Sequence, residues 1–117
     1  NRSVIFALEA AERLQAEHGI SAEVVDLRSI RPLDEDTFLA SVRRTHRAVV
    51  IEENKPFCGV AAQIAATIQE KAFDDLDAPV RRVAAMDCPV AYHPDLEERI
   101  LPQTADVLAA IRQLAAY

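Results

Sequence analysis

Residues 47–76 read RAVVIEENKPFCGVAAQIAATIQEKAFDDL, a strand, a loop and a helix in one stretch. Ala48, Val49, Val50 and Ile51 form a short unbroken apolar run rich in β-branched residues, the pattern of a strand covered on both faces in a parallel sheet. Pro56 and Gly59 punctuate the chain. From Val60 the period changes, and Val60, Ile64 and Ile68 fall on one helix face flanked by Ala61 and Ala65, which predicts a helix over 60–72 lying on the sheet. Its other face carries Ala62, Ala66 and Thr67. Small residues there allow a second backbone to approach closely, so Ala62 and Ala66 are candidate subunit-interface residues.

Working outward, residues Ser3 to His18 predict an amphipathic helix with Val4, Ala7, Leu8, Ala11 and Leu14 inward, Ser3 as its cap, and Gly19 as its left-handed terminator with Ile20 packing back on Leu14. Glu23 to Leu27 reads as a buried strand, and Pro32 stops the connection after it. Asp34 caps the next helix, which has Glu35 and Asp36 in its first turn, Phe38, Leu39 and Val42 inward, and Arg43 and Arg44 in its last turn. The basic cluster formed with His46 and Arg47 is thereby a complement to the helix dipole. Val80 to Ala85 predicts a third strand, interrupted by Arg81 and Arg82 and so near a sheet edge. Thr104 caps a last helix with Val107, Leu108, Ile111 and Leu114 inward. Strands alternating with helices give an α/β fold, three layers α/β/α around a mainly parallel sheet with strands near 23–27, 48–52 and 80–84.

The 117 residues fit one domain, 1–117. A net charge of −6 argues against nucleic acid, whose phosphates need a basic surface. An acidic surface favours basic partners instead. The sequence shows no membrane-spanning run or signal peptide, and its two cysteines, Cys58 and Cys88, fit a soluble, reducing compartment.

Chemistry is sparse. Cysteines and histidines lack metal-ligand spacing, and no phosphate loop or serine elbow occurs, so no metal site is expected. Cys58 precedes a helix start, where a thiol can be activated, though a buried loop thiol is the plainer reading. Glu52 and Glu53 end a strand where open α/β sheets place ligands. They are either an acid/base pair or groups that serve loop solvation or helix capping, and the second reading, solvation or capping, is preferred. No catalytic residue is assigned.

Taken together, VVDLRSIRPLDEDTFLASVRRTHRAVVIEE (24–53), FCGVAAQIAATIQEKAFDDLDAPVRRV (57–83) and LEERILPQTADVLAAI (96–111) resemble the C-terminal domain of the beta subunit of pyruvate dehydrogenase and related 2-oxo-acid dehydrogenases, a domain shared with transketolase. The resemblance covers essentially the whole chain; DLRSIRPLD (26–34) and AFDDLDAP (72–79) are its most specific parts. It implies a non-catalytic assembly and docking domain within an enzyme that decarboxylates pyruvate or a branched-chain 2-oxo acid and transfers the acyl group to lipoyl. Thiamine diphosphate and magnesium would belong to the whole enzyme, not to this domain. Implied partners are the alpha subunit, a second beta subunit and the peripheral-subunit-binding domain of the dihydrolipoyl acyltransferase, in a bacterial cytoplasm or a mitochondrial matrix. Asp77 matches the aspartate of the family's LDAP segment, so Asp74, Asp75, Asp77 and Tyr117 become candidate partner-binding residues. The resemblance also implies a central strand before the first helix, absent from this chain, and hence no direct pairing of 23–27 with 48–52. The alternatives are the C-terminal domain of another transketolase-family enzyme, or a free-standing small enzyme using Glu52, Glu53 and Cys58.

Overall fold

The computed structural model describes residues 2–117. Its centre is a parallel pair of short strands, β1 (Val49–Ile51) and β2 (Arg81–Val83), in register Val49 to Arg81, Val50 to Arg82 and Ile51 to Val83. The Arg81 N–H donates to the Ala48 carbonyl at 3.0 Å, and the Glu52 N–H donates to the Val83 carbonyl at 2.9 Å. Side chains alternate across such a strand. Val50 accordingly packs into one core while Val49 and Ile51 pack into another.

Helices α1 (Arg2–His18), α2 (Glu35–Thr45), α3 (Val60–Ala72), α4 (Pro94–Ile100) and α5 (Thr104–Ala115) surround this pair. Phe38, Leu39 and Val42 of α2 and Ile64, Ile68 and Ala72 of α3 form the core on one side. Ala10 and Leu14 of α1 join Val107 and Leu108 of α5 and Val83 on the other. These are the expected three layers. As expected of an edge strand, β2 has β1 as its only strand neighbour among the described residues.

Local termini follow from the sequence with two exceptions. Asp34 caps α2, its carboxylate accepting the Thr37 N–H at 3.1 Å and the Thr37 hydroxyl at 2.6 Å. Gly19 closes α1 at φ 65°, and the Ile20 N–H returns to the Leu14 carbonyl at 3.2 Å while its side chain packs on that core. Ser3, however, lies inside α1 rather than capping it, and Gln103 rather than Thr104 caps α5 in a reciprocal box with Asp106. The buried face of α1 is also rotated from the expected one, running through Ser3, Ala7, Ala10 and Leu14. Small residues on that line let α1 settle against α5, which leaves Leu8 50% exposed.

The larger correction concerns 23–27. Val25 and Leu27 of this segment pack on the α2/α3 core, yet the segment has no strand partner. Between it and β1 lies a groove of about 1010 Å³ lined by residues of 20–28, β1, α1, α3 and α5. Alternation along the parallel ladder directs the N–H and C=O groups of Val49 and Ile51 toward this groove, away from β2. Val25 and Val50 therefore do not pair, as the resemblance implies. Open backbone donors and acceptors of this kind must be satisfied by water or by a further strand. A chain extended upstream by a β-branched segment of about five residues is expected to melt higher and to protect the Val49 and Ile51 amides from hydrogen exchange. Unchanged melting with both amides still exchanging would show that the groove does not receive a strand.

Glu23 anchors the unpaired segment to α2, accepting from the Ser41 hydroxyl at 2.7 Å and from the Arg44 guanidinium. The Ser41 bond first, then Arg44, hold this carboxyl below its ordinary range; the Thr37 side-chain and backbone bonds do the same for Asp34. Both groups take up protons less readily folded than unfolded, so their stabilisation is complete above the ordinary carboxylate range and is lost as pH falls through it. Urea midpoints should decline on acidification below about pH 5, and less steeply in Glu23→Gln. Parallel curves for wild type and variant would remove Glu23 from that account.

Candidate functional site

Chain direction sorts the candidate residues onto two edges of the sheet. The end of α2 leads directly into β1, and Glu23 bonds to the last turns of α2, so 20–27 runs alongside β1 in the same sense. The start of α1 sits at the opposite edge, where β1 ends, because the Ser3 hydroxyl donates to Glu53 at 3.3 Å. Helix α5 runs parallel to α1: Thr104 donates to Glu9 at 2.8 Å and Arg112 to Glu17 at 3.3 Å.

At the edge where the strands end, the two glutamates are committed to structure. The Glu52 Oε2 accepts the Ala61 N–H at 3.1 Å and so satisfies an open donor in the first turn of α3. Gly59 is buried beneath this contact. A Cβ there would lie 2.1 Å from Glu52 Oε1 and 2.6 Å from the Lys55 carbonyl oxygen, so the glycine is required by close approach. Glu53 binds Ser3 of α1 instead, on a different element. Cys58 is exposed at φ 57°, contrary to the buried thiol expected, because its left-handed backbone turns the chain into Gly59 and the helix. No hydrogen bond among the described residues joins Cys58 to either glutamate. Nor is any group of three His, Cys, Asp or Glu among them placed to hold a metal ion. Glu52 and Glu53 are thus tied to different helices, α3 and α1.

Asp74, Asp75 and Asp77 lie at the other edge, in the turn that follows α3 and precedes β2, the first two within a single 3-10 turn (Phe73–Asp75). That turn is fastened to the end of α2. His46, the left-handed residue that terminates α2, donates from Nδ1 to the Asp75 carbonyl at 2.7 Å, and its own carbonyl accepts the Asp77 N–H at 2.9 Å. Arg43 pairs with the Asp75 carboxylate at 3.5 Å and donates to the Lys71 carbonyl at 3.2 Å. Asp75 is half-buried and paired with Arg43, while Asp74 and Asp77 are exposed. Tyr117 follows α5 and is exposed at this same edge, on the opposite layer. The structure therefore brings the three aspartates together and sets Tyr117 across the sheet from them. Sequence reading took His46 for part of a dipole complement; only its position at a helix end hinted at the fastening role.

Ala62 and Ala66 occupy the outward side of α3, Ala66 exposed and Ala62 half-buried, in line with Phe73, which is 62% exposed. A second exposed apolar group comprises Phe57, Met86, Val90 and Tyr92, on loops that follow the two strands. Sequence reading missed it, because isolated apolar residues between prolines carry no periodicity.

Residues 2–107 match the family model for the transketolase C-terminal domain. The chain belongs to that family. It is 52% identical over 113 residues to the mitochondrial pyruvate dehydrogenase E1 component subunit beta-1 of Arabidopsis thaliana, covering 97% of this chain and 31% of that protein. It is 44% identical over 114 residues to the mitochondrial beta subunit of Saccharomyces cerevisiae, covering 97% and 31%, and 44% identical over 114 residues to the beta subunit of Rickettsia felis, covering 97% and 35%. The chain spans about a third of the length of the curated relatives it matches. Mitochondrial and bacterial proteins both occur among them, and among the described residues no helix is long and apolar enough to cross a membrane.

Gly59→Ala is expected to destabilise this transketolase C-terminal domain by roughly 1–3 kcal/mol, the usual cost of overpacking, since backbone as well as a side chain must give way. Denaturant midpoints check it, and a variant as stable as wild type would show that the approach of Glu52 and Lys55 is not limiting.

Proposed function

We propose that this domain is the assembly and docking part of the beta subunit of a thiamine-diphosphate-dependent 2-oxo-acid dehydrogenase, with pyruvate as the substrate suggested by the relatives' names. The observation that carries the docking role is the acidic turn at 74–77, held in one shape by His46 and Arg43 on the edge away from the strand ends. The groups that in another α/β protein would make an active site, Glu52 and Glu53, here fix α3 and α1. Decarboxylation and its cofactors are accordingly assigned to the remainder of the beta subunit and to the alpha subunit. What this chain supplies is surface.

Two surfaces have distinct roles in this reading. Asp74 and Asp77, with Tyr117 on the other layer, face the basic peripheral-subunit-binding domain of the dihydrolipoyl acyltransferase, whose Arg and Lys side chains make charge-assisted hydrogen bonds. Asp75, already paired with Arg43, shapes the turn and contributes less charge to the partner. Ala62 and Ala66 on α3, with Phe73 in the turn that follows it, form the contact with a second beta subunit, where small side chains admit a close neighbour.

In the complete enzyme, Asp77→Ala should weaken the docking domain at least about tenfold, equivalent to about 1.4 kcal/mol, and wild-type affinity should fall as salt rises. Calorimetry of wild type, Asp77→Ala and a chain lacking Tyr117 measures this; identical affinities for all three would end the docking assignment and leave the family membership untouched. Ala66→Phe in the full beta subunit should shift sedimentation toward smaller species by overpacking the α3 contact. A wild-type profile would place the subunit interface elsewhere.

A further inference from the structure

No further inference is drawn: the strongest candidate, the apolar ridge of Phe57, Met86, Val90 and Tyr92 on the loops that follow β1 and β2, is exposed with nothing in the structure to show what covers it.

Discussion

Three consecutive residues, Val49, Val50 and Ile51, divide their side chains between two cores, and each layer of the domain is positioned by that division. A strand that packs a core on each face needs helices above and below it, so α2 and α3 on one side and α1 and α5 on the other are conditions of its partial burial. Hydrophobic burial supplies the attraction. The backbone bonds from Arg81 to Ala48 and from Glu52 to Val83 supply the direction, and side-chain alternation along β2 and its approach presents Val83 to the α1/α5 core while Val80 reaches the α2/α3 core.

The same strand also explains the concentration of fixed polar contacts around it. Glu52, the first residue after β1, caps α3; Glu53, the next, holds the start of α1; and Gly59 removes the side chain that would separate Glu52 from the turn. Consecutive carboxylates at a strand end suggest acid/base chemistry when read as letters. In three dimensions they point to different helices.

Layer order, the α3 boundaries and the two-sided burial of β1 were legible in the sequence, because apolar period and β-branched content report directly on how an element is covered. The status of 23–27 was not. Glu-Val-Val-Asp-Leu has strand composition, but a strand is defined by its neighbour, and composition says nothing of whether a neighbour is there. The face of α1 was misread for a related reason: Leu8 is more apolar than Ala10, yet close approach of α5 selects the smaller residue for burial. At the candidate site, the sequence showed an acidic run and could not show which aspartate Arg43 neutralises or that His46 holds the turn.

The fastening at His46 bears on association in a way separate from charge. Ordering a turn residue costs about 1–2 kcal/mol in lost backbone freedom, and a flexible acidic loop would meet that cost only when its partner arrived. Here the His46 ring and carbonyl hold the backbone of the turn at Asp75 and Asp77, so the backbone that carries these aspartates is already ordered in the folded domain. In the docking role proposed for this turn, an ordered backbone would favour a partner whose cations match the spacing of its aspartates over one whose cations do not. Under that proposal, rigidity at a helix end would become selectivity at a surface.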